Sequence, residues 1–170
     1  PFEILGFHAD NGSEYVNHKV ARLLDKLRIE FTRSRPRHSN DNGLAETKNG
    51  AVVRKEFGYE HIHRRHAARF DTFCREYLNP FLNYHRPCLF ATELADPKKP
   101  GRIKRVYRPR DVMTPLDKLA SLPDAASFLR PGVTLLELQQ LARALTDVQA
   151  AEELNEARQA LFRRAATRTG

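Results

Sequence analysis

Apolar positions in the first third of the chain predict a strand, a helix and a second strand. Residues 2–9 are mostly apolar and end at an Asp-Asn-Gly turn signal, which predicts a buried strand. Apolar residues then recur at helical spacing to about Arg28, with Ser13 or Asn17 as the candidate N-cap. Residues 29–33 alternate between apolar and polar, which favours a second strand.

Two further helical patterns follow a polar segment. Residues 34–43 contain nothing apolar, which predicts an exposed loop. A helical pattern over 44–57 ends at Gly58, and another over 66–85 is predicted to break at Pro80. Its aromatic residues recur at helical spacing, which favours a core role over base stacking: Phe70, Phe73, Tyr77, Phe81 and Tyr84.

The last third of the chain changes from proline-rich and basic to amphipathic. Residues 98–110 hold seven basic side chains and no acidic one, which predicts a linker or a nucleic-acid arm. Thr134 and Glu137 then form a capping-box pattern. The apolar stripe that follows predicts one long helix, or two in series, packed back on the chain rather than forming an oligomer seam.

Composition and charge fit a globular protein with a polyanionic partner. The 170 residues are 41% hydrophobic and 29% charged, and the net charge of +8 favours nucleic acid. No apolar run approaches the roughly 18 residues of a spanning helix. Two cysteines, Cys74 and Cys88, are too few for a disulfide framework, so we expect an intracellular location. Their spacing from His61, His63 and His66 matches no zinc pattern, and we expect those histidines to be exposed or to face phosphate.

Two carboxylates stand out by their spacing. Asp10 comes where the first predicted strand ends, and Glu46 lies in the first turn of the helix predicted over 44–57. There are 35 residues between them. Taken alone, Asp10 is a common turn residue and Glu46 a favourable first-turn acid. Together they could converge at one end of a sheet, and convergent carboxylates suit Mg²⁺.

From about Ile4 to Tyr59 the sequence resembles the integrase and transposase superfamily with an Asp, Asp-35-Glu triad. The motifs that carry the resemblance are Asp-Asn-Gly after a strand, Asn-Asp-Asn-Gly in a basic loop, and the helical Glu46. Residues 82–87 and 114–119 look like segments that follow the core in bacterial insertion-sequence transposases. The resemblance implies cleavage of DNA ends and transfer of a 3′-hydroxyl, dependent on Mg²⁺ or Mn²⁺, with Asp10 and Glu46 as catalytic metal ligands.

One part of the family pattern has no counterpart in this sequence. The resemblance implies a first Asp on the first strand of the core, several strands before Asp10. Asp25 lies in a predicted helix and Asp41 in a predicted loop, so neither takes that position. The sequence therefore resembles the C-terminal part of such a protein, and we expect this chain to be inactive alone. The alternative is a non-catalytic DNA-binding remnant, or a regulator of a full-length transposase.

The predicted fold is α/β, a ribonuclease H-like integrase core that is truncated at its N-terminus and carries an α-helical C-terminal extension. The predicted divisions are the half-core (1–62), a helical extension (63–96), a basic proline-rich linker that contacts DNA (97–120) and an amphipathic helical tail (121–170). The expected partners are transposon-end and target DNA, with a second copy or a full-length transposase possible, and no membrane. The expected location is the bacterial cytoplasm, at the nucleoid.

The resemblance and the charge pattern together predict a set of DNA-contacting residues. Arginine suits bidentate contacts to phosphate, and such contacts position the backbone rather than read bases. The predicted residues are Arg33, Arg35, Arg37, His38, Lys48, Asn49, Arg54, Lys55, Lys98, Lys99, Arg102, Lys104, Arg105, Arg108 and Arg110.

Overall fold

A computed structural model describes most of the chain as two compact units. The described residues are 1–9, 17–35, 49–59, 61–97 and 101–166. Phe2–His61 form one unit, called here the N-terminal unit, and Ile62–Gly170 with Pro1 form the other, called the C-terminal unit. The division falls next to residue 62, where the sequence predicts the end of the half-core.

The N-terminal unit contains the predicted strand, helix and strand. Strand β1 is Gly6–Ala9, helix α1 is His18–Lys26 and strand β2 is Glu30–Arg33. The two strands are parallel, as a helical crossover between them allows. Phe7 lies opposite Phe31, and their ring centroids are 6.1 Å apart.

The prediction of a buried strand over 2–9 is wrong in extent and in burial. Only the last four of these residues form β1, and only Ala9 of them is buried. Ile4 and Leu5 are exposed. Within the described residues β1 has one neighbouring strand, β2, so its other edge has no strand beside it to shield side chains.

Local signals determine the ends of the helices in this unit. The Oδ1 atom of Asn17 accepts hydrogen bonds from the backbone N–H groups of Lys19 and Val20, both at 3.0 Å, and so caps α1 as predicted. Helix α2 comprises a π-helical segment, Asn49–Arg54, and an α-helical turn, Lys55–Phe57. It ends at Gly58, whose φ of 73° is left-handed, as the sequence predicts. The alternative cap, Ser13, lies outside the described residues.

The C-terminal unit opens with a helical stretch over 67–85 that Pro80 does not break. The stretch, called α3, is α-helical over Ala67–Phe73 and π-helical over Cys74–Leu78 and Phe81–His85. Pro80 has helical dihedral angles, contrary to the predicted break. Proline removes one helical hydrogen bond and crowds the preceding turn, and the wider π-helical turns on both sides accommodate it.

Two paired strands lie where the sequence predicts helix and linker, and together they are called the hairpin. Strand β3 is Cys88–Ala95 and strand β4 is Ile103–Met113, paired antiparallel. This corrects two predictions, because 63–96 is not helical throughout and 97–120 is not a simple linker. The apolar residues of β4 do not alternate with polar ones, and its run of basic residues and Pro109 favoured a linker over a strand. After the hairpin, helix α4 is Pro115–Ala120.

The core of the C-terminal unit lies between α3 and the last helices. After a 3-10 turn at Ala125–Phe128, helix α5 is Leu135–Arg143 and helix α6 is Asp147–Ala166, so the amphipathic stripe forms two helices in series. Phe70 of α3 meets Phe162 of α6 edge to face at 5.8 Å between centroids. Leu138, Leu154 and Leu161 of the predicted stripe are buried against their own chain, whereas Leu141 and Val148 are exposed. None of the helices described is long and apolar enough to cross a membrane.

Candidate metal and nucleic-acid site

The parallel strands β1 and β2 end side by side. Ala9 lies opposite Arg33, and the backbone N–H of Ser34 donates to the carbonyl of Ala9 at 3.1 Å. Asp10 is the next residue of the sequence after β1. The carboxyl ends of parallel strands are the usual place for ligand sites in open α/β sheets.

A polar cluster links these strand ends. The Nδ1 atom of His8 is hydrogen-bonded to the hydroxyl of Thr32 at 2.9 Å, and the hydroxyl of Ser34 lies 3.4 Å from His8 Nε2. Ser34 is 1% exposed. Both ring nitrogens of His8 are therefore engaged with β2 and the residue that follows it. Sequence reasoning missed this cluster, although Thr32 and Ser34 are two residues apart at the end of a predicted strand, a spacing that favours one side of an extended chain.

The two predicted metal ligands lie outside the described residues. Asp10 directly follows β1, and Glu46 precedes the first described residue of α2 by three positions. Several predicted DNA-contacting residues also lie outside them: Arg37, His38, Lys48, Lys98 and Lys99. For these residues the predictions stay predictions.

The described basic residues of the N-terminal unit lie at the end of β2 and along α2. Arg33 ends β2 and Arg35 follows it, and both are exposed. Asn49 begins the described part of α2. The guanidinium of Arg54 lies 5.5 Å from the centroid of the Tyr59 ring, a cation–π contact, and Lys55 is exposed.

The other predicted DNA-contacting residues that the structure describes belong to the C-terminal unit, on or beside β4. Arg105 forms an ion pair with Glu93 of β3 at 3.1 Å, with both side chains well exposed. The other members of this group are Arg102, Lys104, Arg108 and Arg110. The predicted DNA-contacting residues are thus divided between the two units.

The histidine cluster differs from the prediction of an exposed or phosphate-facing group at one position. His66 is buried, and the Nε–H of Arg65 donates to its Nε2 at 3.0 Å. Burial lowers the pKa of His66, and the charges of Arg65 and Arg69 and the nearby His63 lower it further. A buried ring whose Nε2 accepts from arginine is a poor phosphate ligand. His61 and His63 are exposed, as predicted.

The chemistry of the donors decides which cation the candidate site suits. Mg²⁺ and Mn²⁺ prefer carboxylate oxygens, and Asp10 and Glu46 provide these. In the part of the chain that the structure describes, no group of three or more His, Cys, Asp or Glu side chains could hold a metal ion. Because both ring nitrogens of His8 already have hydrogen-bond partners, His8 is not a competing ligand.

Comparisons with known proteins give one relative of unassigned function. No protein-family model matches the chain, and no solved structure matches it. The chain is similar to the uncharacterized protein y4rM of Sinorhizobium fredii (strain NBRC 101917 / NGR234), with 41% identity over 59 residues. The match covers 35% of this chain and 17% of that relative.

Proposed function

We propose that this chain is part of a DNA transposase or integrase of the Asp, Asp-35-Glu lineage, with Asp10 and Glu46 as two of its metal ligands. One observation carries the proposal: the 35-residue spacing between these acids coincides with a parallel strand–helix–strand unit whose first strand ends at the residue before Asp10. Either acid alone has an ordinary structural explanation, and only the combination favours chemistry.

In this proposal the residues of the N-terminal unit position the acids and the DNA. The His8, Thr32 and Ser34 cluster ties the ends of β1 and β2 together next to Asp10. Arg33 and Arg35 contact phosphates near that end. A bound Mg²⁺ or Mn²⁺ would activate the attacking oxygen and stabilise the leaving oxygen in the phosphoryl displacement. The family requires a third carboxylate, its first Asp, and no residue of this sequence takes that position. A complete metal site therefore needs a carboxylate from outside this sequence.

The partners that follow from the proposal are transposon-end DNA, target DNA, and a second copy or a full-length transposase. Two-stranded sheets leave unpaired backbone edges that favour association. The proposed location is the bacterial cytoplasm, at the nucleoid.

Cation binding by the full chain tests the proposal without requiring turnover. Electron paramagnetic resonance follows free Mn²⁺ as protein is added, for the wild type and for the Asp10→Asn, Glu46→Gln and double variants. The proposal predicts that each substitution weakens binding and that the double variant abolishes it, because neutral side chains are poor ligands for hard cations.

A matched pair of acids provides the control. Asp25 in α1 and Glu30 in β2 are exposed acids of the same unit outside the motif. The Asp25→Asn, Glu30→Gln variant removes the same charge and is expected to bind Mn²⁺ like the wild type. Equal losses in both double variants would mean that general charge, and not a site, holds the cation.

A second candidate function is a DNA-binding regulator without catalysis, and the exposed basic hairpin favours it. The discriminating experiment compares DNA binding and 3′-end joining in the wild type and in the Asp10→Asn, Glu46→Gln variant. The regulator is supported if DNA binding survives the substitutions and neither chain joins 3′-ends under Mg²⁺ or Mn²⁺. Joining must also be absent when a full-length relative is added. Joining that requires both the relative and the two acids supports the proposed enzyme.

A further inference from the structure

The β3–β4 hairpin of the C-terminal unit is exposed on both faces. Directly paired residues share a face, so Tyr107 and Ile103 lie on one side of the ribbon, and Leu94 and Lys104 on the other. Tyr107 is 59% and Ile103 is 63% exposed. In the described part of the chain this sheet has two strands only, and such a ribbon is marginally stable by itself. An exposed ribbon of this kind is suited to contact a partner.

A bulge in β4 gives the ribbon a distinct shape. Four residues of β4, 108–111, lie opposite the single β3 residue Phe90. Pro109 fits there, because proline has no N–H for the ladder and occurs in sheets mainly at edges and bulges. The hydroxyl of Thr92 donates to Asp111 Oδ2 at 3.0 Å, which anchors one end of the bulge to β3. The two arginines of the bulge, the half-buried Arg108 and the exposed Arg110, therefore belong to an ordered segment.

The hairpin is strongly positive, and most of the described basic side chains of β4 form no ion pair within the hairpin. Residues 88–113 include seven basic and three acidic side chains. Two of the acids are engaged within the hairpin, Glu93 with Arg105 and Asp111 with Thr92. Within the described residues, no hydrogen bond or ion pair engages the side chains of the remaining cations of β4: Lys104, Arg108 and Arg110.

We propose that the β3–β4 hairpin is a DNA-binding ribbon and that its bulge delivers Arg108 and Arg110 to phosphates of duplex DNA. A two-stranded ribbon fits the major groove, which is about 12 Å wide, because its strands are about 5 Å apart. Exposed arginine binds phosphate through its planar fork, and charge attracts the ribbon to the duplex. The choice of DNA as the polyanion rests on the proposed function.

The salt dependence of DNA binding by the full chain tests this inference. Fluorescence anisotropy follows a labelled duplex of arbitrary sequence between about 50 and 200 mM salt. Each lost phosphate contact lowers the slope of log affinity against log salt by about one. The Arg108→Ala, Arg110→Ala variant is therefore expected to have a slope smaller by about two, so that the wild type loses about ten-fold more affinity than the variant across this range.

A control variant separates the location of the charges from their number. Arg130 and Arg143 are exposed arginines of the same unit outside the hairpin. The Arg130→Ala, Arg143→Ala variant loses the same two charges and is expected to keep the wild-type slope. The inference is overturned if the hairpin variant has the same slope as the wild type. It is also overturned if the control variant shows as large a reduction in slope as the hairpin variant.

The anchored bulge makes a second, geometric test possible. Thr92→Val retains shape and strand preference but removes the hydroxyl that anchors Asp111. We expect this uncharged change to weaken duplex binding by about two- to ten-fold, with an unchanged far-ultraviolet circular dichroism spectrum. Binding equal to that of the wild type would overturn the role of the bulge, because a disordered basic segment would be insensitive to this hydroxyl.

The hairpin inference and the proposed function fail separately. Repeating the salt series on the Asp10→Asn, Glu46→Gln variant tests the hairpin with the metal ligands removed. An arginine-dependent slope in a chain that shows no specific Mn²⁺ site supports the hairpin and contradicts the proposed function. A specific Mn²⁺ site with an arginine-independent slope supports the function and overturns the hairpin inference.

Discussion

Among the residues that the structure describes, the N-terminal unit buries two apolar side chains, Ala9 and Leu24, whereas the C-terminal unit buries nine. The nine are Phe73, Leu78, Leu116, Ala125, Leu129, Leu138, Ala150, Leu154 and Leu161. The proposed metal ligands belong to the first unit and most of the buried apolar surface to the second. Because local stability follows buried apolar contact, we expect the C-terminal unit to dominate the free energy of unfolding and the N-terminal unit to open more easily.

Core truncation gives the largest test of this difference. Phe73→Ala removes a 3% exposed aromatic side chain and is expected to cost about 3–5 kcal/mol of the free energy of unfolding. Leu24→Ala, in α1, is expected to cost about 2 kcal/mol, the low end for such changes, because few buried neighbours surround it. Urea unfolding followed by circular dichroism measures both. Equal costs would show that the N-terminal unit has a core comparable to the other.

A hydrogen bond to a buried histidine provides the second test. The His85 side chain is 5% exposed, and its Nδ1 lies 3.0 Å from Oδ1 of Asp147, a 69% exposed residue at the start of α6. Asp147→Ala leaves the buried ring without this partner and is expected to cost about 1–3 kcal/mol, whereas Asp147→Asn retains an acceptor and costs less.

The matched control for this pair is an exposed one. Asp71 and Arg75 form an ion pair at 2.6 Å on the surface of α3, with both side chains about 70% exposed. Asp71→Ala is expected to change the free energy of unfolding by less than about 0.5 kcal/mol, because solvent screens such pairs. If Asp71→Ala lowers the free energy of unfolding as much as Asp147→Ala does, the burial of His85 does not strengthen its interaction with Asp147.

The capping box of α5 gives a smaller effect than the core truncations, about 1 kcal/mol for Thr134→Ala. Its pH dependence has a definite sign. Hydrogen bonds from the backbone N–H and the hydroxyl of Thr134 hold the pKa of Glu137 below its ordinary value. The unfolded carboxyl has the ordinary pKa, so this stabilisation is complete above it and is lost as pH falls through the lowered folded value. Glu137→Gln is expected to flatten the acid side of the stability curve, and an unchanged curve would contradict this.

The sequence predicted features that depend on local interactions. The Asn17 cap, the helix end at Gly58 and the capping box of Thr134 and Glu137 each depend on residues a few positions apart, and all are confirmed. The β1, α1, β2 order is confirmed for the same reason, since hydrophobic period and caps determine it.

The features that were missed depend on register or on tertiary context. The ladder of β3 and β4 requires a bulge whose position no local pattern specifies. The His8 cluster becomes visible only when β1 is placed beside β2. Helical geometry at Pro80 depends on the π-helical turns around it. The pairing of Asp10 and Glu46 rests on spacing and resemblance, and it stays a prediction.

Iron-directed cleavage of the backbone tests that pairing most directly. Fe²⁺ replaces Mg²⁺ at carboxylate sites, and with ascorbate and peroxide it generates radicals that cut the chain beside the bound ion; mass spectrometry then locates the cuts. We expect cuts beside Asp10 and Glu46 in the same molecules, suppressed by excess Mg²⁺ and absent in the Asp10→Asn, Glu46→Gln variant. Cuts confined to one of the two positions, or cuts that persist in the variant, would contradict a shared metal site.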